Sequence, residues 1–396
     1  MLAAALIWAA SGPSHAQSGG TVGEPCIMPT YGEGPPPEAV DQADEDATIG
    51  RRGLFGFCHA LSGTGILGLT GQRAIPADPA LKPLVPGGVT GFVTFGGNAT
   101  LTSGRFVGDT YVGSTVSALG TLTPTARLLF TEASLRVGRI QGGYAPSRFT
   151  YWSGEDIAAW ALLPARAVTM GAIDLVAQGP WSVTIAAEYN TSSAPPAPLV
   201  PGPVATPPNR LPDLVVQSRY VTDRLELHAA AGFRRVDRTG AAAETSLGAA
   251  ATVGLKWTFD AFGAEHVLAC QFAYARDLPT YLGSSFDIRA IASTIRADEA
   301  TRGWSGVVSL RRAWTPTIAT NLVMSAIDIR FPALRTGRFQ ALRTAANIVW
   351  TPSDEWKVIG ELGWGRTTID LPDRTLQQLD LSATGYSGVL MVQRSF

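Results

Sequence analysis

The sequence has no apolar run long enough to cross a membrane as a helix. Such a helix requires roughly 18 to 20 uninterrupted apolar residues, and the apolar run Leu2–Ala10 is much shorter. A helical membrane protein is therefore excluded. Charge is equally limited: 31 basic and 32 acidic residues leave a net charge of −1. The basic excess of a nucleic-acid-binding protein is missing, so we expect no nucleic-acid partner.

Lysine is scarce among the basic residues. It occurs only at positions 82, 256 and 357, so that 31 − 3 = 28 basic residues are arginine. Arginine keeps its charge and binds carboxylates and phosphates through a rigid fork. This bias suits the lining of a pore, and a GC-rich genome would produce the same bias.

Residues for catalysis or metal binding are scarce as well. Beyond an export signal the only histidines are His59, His228 and His266; no two are close in sequence, and no G-x-S-x-G motif occurs. The stretch Gly63–Gly68 matches G-x-G-x-x-G, but that motif has meaning only between a strand and a helix. Here it continues with strand character. We therefore predict no enzyme activity, no cofactor and no metal site.

The amino end is typical of an exported protein. The apolar run Leu2–Ala10 is followed by a small-residue cleavage site at Ser14–Ala16, which is the pattern of a secretory signal. Residues 1–16 are predicted to be a signal peptide, and residues 17–56 a periplasmic segment that precedes the main domain.

The three cysteines are Cys26, Cys58 and Cys270. Because an exported protein meets an oxidising compartment, Cys26 and Cys58 are predicted to form a disulfide that ties the amino-terminal segment to the first strand. Cys270 lies between Leu268 and Phe272 on an apolar face, where a lone cysteine behaves as a small hydrophobe.

Alternating segments recur from about residue 57 to the end. In Trp181–Tyr189 the odd positions are apolar and the even positions mostly polar, and Leu225–Arg235 and Leu247–Trp257 repeat the pattern. A period of two indicates strands with one apolar and one wet face. The last segment, Ser387–Phe396, alternates up to an aromatic terminal residue. This is typical of the closing strand of an outer-membrane β-barrel, with Phe396 as the end that the barrel-assembly machinery recognises.

Tryptophan marks the short turns. It precedes a turn at Trp257, Trp314 and Trp350, and each turn leads straight into another alternating segment, such as Trp356–Trp364. Tryptophan at strand ends on one level forms the interfacial girdle of a membrane barrel. Long connections fall between these turns, at residues 190–212, 277–302, 330–340 and 370–377.

Short turns on one side and long loops on the other predict an even number of strands. We expect strands to begin near residues 57, 88, 109, 127, 136, 166, 181, 212, 225, 247, 266, 303, 317, 340, 356 and 384. These sixteen strands would close an all-β, transmembrane antiparallel barrel over residues 57–396, with almost no turn around residues 127–140. A barrel of this size leaves an aqueous channel. The rival fold is a secreted β-rich adhesin or sandwich.

Four stretches share the pattern of one known family: Cys26 with Thr30–Gly34 and Phe57–Gly63, Val137–Arg139 before an aromatic-containing loop, Trp350–Asp354, and Val392–Phe396. They resemble the paired cysteines, the strand before the constriction loop, a periplasmic turn and the carboxyl end of the porins of Rhizobiales and other alphaproteobacteria. The resemblance implies a homotrimeric, sixteen-stranded general diffusion porin whose third loop folds into the barrel.

By position the third loop is Ile140–Arg166, and its acidic pair is Glu155 and Asp156. Carboxylates on an inward loop that faces wall arginines would create a transverse field at the narrowest point and bias the pore toward cations. The alternative is a solvated surface loop whose acids have no effect on the pore. The candidate wall residues, which alternation turns inward, are Arg139, Arg234, Arg311 and Arg343.

The resemblance implies a channel for passive diffusion of small hydrophilic solutes and ions in the bacterial outer membrane, surrounded by lipid and lipopolysaccharide. A substrate-specific channel for a sugar or an anion is an alternative, as is a non-channel barrel that acts as an enzyme or a structural protein. The specific channel is favoured by aromatic residues in the third loop: Tyr144, Phe149, Tyr151, Trp152 and Trp160.

Overall fold

The computed structural model describes residues 25–27, 49–52, 57–76, 90–107, 109–123, 125–151, 167–189, 211–237, 245–283, 301–331, 337–372 and 378–395. In chain order the strands are β1 (Pro25–Ile27), β2 (Ile49–Arg52), β3 (Cys58–Pro76), β4 (Thr90–Val107), β5 (Thr110–Thr123), β6 (Thr125–Val137), β7 (Ile140–Pro146), β8 (Ala167–Gln178), β9 (Trp181–Tyr189), β10 (Asp213–Val221), β11 (Leu225–Asp237), β12 (Thr245–Ala261), β13 (Ala264–Arg276), β14 (Arg302–Thr315), β15 (Ile318–Phe331), β16 (Gly337–Ser353), β17 (Trp356–Pro372) and β18 (Gln378–Ser395). A single turn of 3-10 helix, Pro279–Tyr281, follows β13. No helix in these ranges is long and apolar enough to cross a membrane.

Strands β3 to β18 form one closed antiparallel barrel. Each strand pairs with the next in the chain, and β18 pairs back onto β3 from Thr64↔Ser395 to Pro76↔Ala383. Closure gives every strand two hydrogen-bonded neighbours, which a barrel in hydrocarbon requires. The predicted barrel of sixteen strands is confirmed, and the sandwich is excluded.

The predicted strand starts agree closely with the structure. The starts predicted near residues 57, 109, 181, 225 and 356 fall at Cys58, Thr110, Trp181, Leu225 and Trp356. The start predicted near residue 384 falls earlier, at Gln378. The crowded pair around residues 127–140 is present, because one residue separates β5 from β6 and a two-residue turn separates β6 from β7.

The short turns lie at one rim. The turn after β12 consists of Phe262 and Gly263, which both adopt positive φ, at 50° and 69°; such turns match the twist of the paired strands. The tryptophans predicted to mark this rim point outward and are exposed, as a girdle at a membrane interface requires. They are Trp257, Trp314 and Trp350, and Trp356 at the start of β17 is exposed as well.

The two faces of the barrel wall differ in composition. Large apolar side chains such as Leu67, Phe95, Leu322 and Leu362 are exposed on the outer face. The inner face carries the buried hydroxylated, amide and charged residues, such as Glu361, together with small and apolar ones. This is the reverse of a soluble protein, and it defines a lipid-facing outside and a polar lumen.

The amino-terminal strands are joined to the barrel near its short-turn rim. β1 pairs with β2, which pairs with the start of β3 through Arg52↔Cys58. Cys58 is disulfide-bonded, whereas Cys270 is free. The predicted partner Cys26 lies in β1, opposite Gly50. The predicted signal peptide at residues 1–16 and the terminal Phe396 lie outside the described residues.

Candidate pore constriction

The described base of the third loop, residues 147–151, lies inside the barrel. It begins directly after β7, and Phe149 is fully buried although it belongs to no strand. Small side chains on the inner wall make room for it. Phe149 belongs to one buried apolar cluster whose wall members include Ala172, Ala186, Val215, Ala230 and Ala250. The predicted inward fold of this loop is therefore confirmed for its base.

Glu188, on the inner face of β9, holds the loop base in place. One carboxylate oxygen accepts the backbone N–H of Arg148 at 2.7 Å, and the other accepts the Ser147 hydroxyl at 2.8 Å. Glu188 is fully buried. A buried carboxylate is costly unless hydrogen bonds satisfy its oxygens. The wall and the loop base therefore stabilise each other.

A second inward segment, residues 277–283 after β13, meets the third loop. The Tyr281 hydroxyl donates to Asp213 Oδ2 at 2.8 Å and lies 3.5 Å from Glu188 Oε2. Its ring packs against Phe149, with centroids 4.5 Å apart. Burial and the Glu188 and Asp213 carboxylates raise the pKa of Tyr281 above its ordinary value, since each disfavours a phenolate there. The hydroxyl therefore remains a donor.

Arg234 completes this arrangement from β11. Its guanidinium donates to both carboxylate oxygens of Asp213, at 2.6 Å each. The side chains of both residues are almost entirely buried. Such a two-pronged pair fixes the orientation of the carboxylate as well as its charge. Arg234, one of the predicted wall arginines, thus orients the acceptor of Tyr281.

Tyr151, at the end of the described loop base, lies over a glycine of β12. Its ring stacks on the imidazole of His228, with centroids 5.1 Å apart. His228 Nε2 donates to the Phe149 carbonyl at 3.2 Å, and the Gln217 side-chain amide lies 3.4 Å from Nδ1. A Cβ at Gly254 would overlap the Tyr151 ring. Gly254 therefore supplies the space in which Tyr151 lies.

Two further predicted wall arginines lie elsewhere on the inner face. Arg311 is on β14, opposite Asn321, and Arg343 is on β16, opposite Ser325. Leu310, next to Arg311, is exposed on the outer face, and Ala341, two residues before Arg343, is buried on the inner face. Alternation therefore turns both arginines inward. They lie on the wall beyond β13, away from the strands that hold the loop base.

Arg139 does not lie on the wall beside the loop. It occupies the two-residue turn between β6 and β7, and its exposed side chain donates to the Leu175 carbonyl at 3.3 Å. The seven residues of β7 separate it from the third loop, so it lies at the short-turn rim. Glu155 and Asp156 lie outside the described residues.

Sequence reasoning missed the three residues that hold the loop: Glu188, Asp213 and Tyr281. A signal existed for the two acids, because alternation places both on inner faces near the long-loop ends of adjacent strands. No local pattern pointed to Tyr281, since the path of its loop into the lumen is set by packing.

No protein family model matches the chain, and no curated protein matches it in sequence. Solved structures match its fold. The outer membrane channel DcaP of Acinetobacter baumannii matches with a TM-score of 0.66 at 14% identity, over 88% of this chain and 99% of that chain.

Two porins match with lower scores. The anion-selective porin from Comamonas acidovorans gives a TM-score of 0.54 at 11% identity, over 85% of this chain and 100% of that chain. OmpF of Salmonella typhi gives a TM-score of 0.51 at 12% identity, over 86% of this chain and 98% of that chain. The chain therefore has the fold of Gram-negative outer-membrane porins and channels.

Proposed function

We propose that the protein is an outer-membrane porin, a water-filled channel through which small hydrophilic solutes and ions diffuse passively. The observation that carries this proposal is the base of the third loop, held inside a closed barrel by Glu188. A barrel of sixteen strands retains an aqueous interior, and a loop fixed inside it narrows the passage at one level. No cofactor or energy source is needed, and we expect no enzyme activity.

Planar-bilayer recording of the purified full chain tests the channel. We expect stepwise conductance that rises linearly with salt concentration, because passive diffusion does not saturate. A folded barrel that gives no conductance steps would refute the proposal, and hydrolytic activity in its place would point to an enzyme.

Glu155 and Asp156 are proposed to form the acidic side of the constriction. They follow Tyr151 by four and five residues, which span at most about 18 Å, so neither can be further than that from the described loop base. Arg311 and Arg343 are the proposed opposing charges on the wall. Arg139 is left out because it lies at the rim, and Arg234 because Asp213 compensates its charge.

The double substitution Glu155→Ala/Asp156→Ala tests this site. We expect the reversal potential in a salt gradient to shift toward anions, because like charges near a narrow point govern selectivity. The matched control is Asp354→Ala/Glu355→Ala, which removes two exposed acids from a short turn and should leave the reversal potential unchanged. Equal values for both variants and the wild type would place the loop acids outside the conduction path.

A channel specific for a sugar or an anion is the second candidate. It is favoured by an inner wall of hydroxyl groups, which can exchange hydrogen bonds with a polyhydroxylated solute; an example is Thr100, whose Oγ1 lies 2.9 Å from Ser117 Oγ. One of the fold relatives is named as anion-selective. Conductance that saturates with a candidate solute would favour this second function.

The amino-terminal segment is proposed to be tied to the barrel by a Cys26–Cys58 disulfide. Cys58 is disulfide-bonded, and β2 lies between the strands of the two residues. Thiol labelling under denaturing conditions without reductant should modify Cys270 alone. Labelling of Cys26 or Cys58 would contradict the pairing.

We further propose a homotrimer of the alphaproteobacterial porin type, exported by residues 1–16, with residues 17–56 in the periplasm. Phe396 is the proposed signal for barrel assembly, and lipopolysaccharide the proposed neighbour in the membrane. The support is the resemblance of the terminal Val392–Phe396 and the uninterrupted alternation of β18. Chemical cross-linking in outer-membrane fractions should give trimers, and loss of barrel insertion into the outer membrane on deletion of Phe396 would support its role.

A further inference from the structure

Four arginines stand in one row across four neighbouring strands. The strand register pairs Arg276 with Arg302, Arg302 with Arg330, and Arg330 with Arg338. The row therefore crosses β13, β14, β15 and β16. Alternation turns all four side chains to the outer, lipid-facing surface, on the same side as the exposed Trp304. We refer to these four residues as the arginine row.

The row lies at the edge of the apolar band, on the side of the long loops. On β14, Trp304 and Trp314 share the outer face and are both exposed. Ten residues at about 3.3 Å each, tilted by about 40°, rise about 25 Å, which is the height of a barrel's apolar band. These two tryptophans thus mark its two edges. Arg302 is two residues beyond Trp304, where lipid headgroups begin.

Like charges directly opposite each other on paired strands destabilise a sheet. Asp328 relieves part of this repulsion: it accepts Arg338 Nε at 3.0 Å, and Arg330 Nε lies 4.0 Å from it. This carboxylate is buried, and 55% of the Arg330 side chain remains exposed. Asp370 extends the row on β17 beyond Arg338. Asp328 and Asp370 therefore compensate part of the positive charge at the β16 end of the row.

Among the described residues, the other end of the row has no compensating ion pair. Neither Arg276 nor Arg302 forms an ion pair with any residue of the described ranges, and both side chains are exposed. Asp277, next to Arg276, is a third acid beside the row, so four arginines against three acids leave one surplus positive charge among the described residues, at headgroup depth. Three strand spacings of about 4.8 Å give the row a length of about 14 Å, which is long enough for more than one phosphate group.

We propose that the arginine row binds the phosphate groups of a phosphorylated lipid in the outer leaflet. The arginine fork matches a phosphate in geometry and charge, and the exposed rings of Trp304 and Tyr274 lie below the row, where acyl chains begin. The site rests on the proposed outer-membrane location. It does not depend on conduction, because it lies on the outside of the barrel.

Native mass spectrometry of the detergent-solubilised full chain tests the proposal, with diphosphorylated lipid A as the probe. The row variant is Arg302→Gln/Arg330→Gln. We expect it to bind the probe about 30-fold more weakly than the wild type, since each arginine near a lipid surface contributes about fivefold. The single variant Arg302→Gln should lose about fivefold, and it serves if the double variant fails to fold.

The matched control is Arg312→Gln/Arg394→Gln, which removes two outward arginines beside Trp314 and Trp356 at the short-turn rim. It should bind the probe like the wild type. Unchanged binding by the row variant, or an equal loss in the control, would overturn the proposal. Competition by millimolar inorganic phosphate would also overturn it, because the site would then be one for free anions. Bilayer conductance of the row variant should equal that of the wild type, which separates this site from the channel.

Discussion

Two groups of strands in the inner wall of the barrel differ in chemistry, and we call them the charged half and the neutral half. On β6 to β11 it carries ion pairs, namely Arg136–Asp174, Arg219–Glu226 and Arg234–Asp213. On β18, β3, β4 and β5 the alternation turns no charged residue of the described ranges toward the lumen; hydroxyl and amide groups line this half.

The difference shows how the lumen charges are used. On the charged half, the carboxylates of Glu188 and Asp213 hold loop segments against the wall, and Arg234 compensates the charge of Asp213. On the neutral half, hydrogen bonds such as that between Thr64 and Asn98 stay within the wall. We infer that the charged half positions the loops and that the neutral half is the surface along which solutes move.

The largest effect is expected from Glu188→Ala on the charged half. The substitution leaves the Ser147 hydroxyl and the Arg148 N–H without their acceptor, at a cost of about 3 to 6 kcal/mol for two hydrogen bonds to a charged group. The loop base should detach, which gives a larger and noisier single-channel conductance and faster proteolysis of the third loop.

The control for this variant is Glu226→Ala. Glu226 also carries a lumen charge, but it pairs with Arg219, whose side chain is half exposed, and such pairs contribute at most about 1 kcal/mol. Its conductance should resemble that of the wild type. A similar disturbance in both variants would mean that charge alone, rather than the hydrogen bonds to the loop, sets the conductance.

A pair of glycine substitutions sharpens the role of the charged half. In Gly254→Ala the new methyl group overlaps the Tyr151 ring, whereas in Gly232→Ala it meets Phe149 at 3.6 Å, an ordinary contact. Overpacking costs about 1 to 3 kcal/mol, so Gly254→Ala should shift Tyr151 and change the conductance. Gly232→Ala should change neither. Single-channel recording of both variants tests this prediction. Equal conductance of the two variants would contradict the position of Tyr151 over Gly254.

On the neutral half an added charge should act directly on permeating ions. We expect Thr100→Asp to shift the reversal potential toward cations, while Thr100→Asn leaves it unchanged. An uncompensated charge in water contributes about 1 kcal/mol at 4 Å, so the shift should be modest. If Thr100→Asp has no effect, ions do not travel along this wall.

The smallest effect concerns Tyr281. Because its folded pKa is raised, its stabilising hydrogen bond is fully present below about pH 10, where a free tyrosine ionises. The contribution is lost only as the pH rises above that value. In an ultraviolet titration, Tyr281→Phe and the wild type should therefore show the same tyrosinate absorbance up to about pH 11. A smaller absorbance in the variant would show that Tyr281 ionises normally.

The barrel was predictable from sequence because the patterns that define it, alternation and turn position, are set by residues close together in the chain. A strand between lipid and water must alternate, and a girdle at one interface must place tryptophans such as Trp314 and Trp350 close to short turns. After Trp257 the strand continues to Ala261 before its turn. Strand starts were therefore recovered to within a few residues, with Gln378 the clearest exception.

The loop anchors were not predictable in the same way. Tyr281 meets Glu188 across 93 positions of the sequence, and no periodicity encodes such a contact. Arg139 illustrates the converse error, because the pattern Val137–Arg139 suggested a wall residue where the chain makes a turn. Residue type and alternation give the face of a strand, but the height of a residue on the barrel depends on where that strand begins.

The pairing of β18 with β3 has a consequence for how the protein folds. Every other pairing between barrel strands joins chain neighbours, whereas this seam joins Thr64 to Ser395, more than 300 residues later in the chain. Local hairpins form quickly, and contacts between distant residues slow folding. The seam should therefore be the last pairing to form, and until it does β3 and β18 each present an open edge that can pair with another chain. Dilution or rapid membrane insertion should then favour the closed barrel over aggregates.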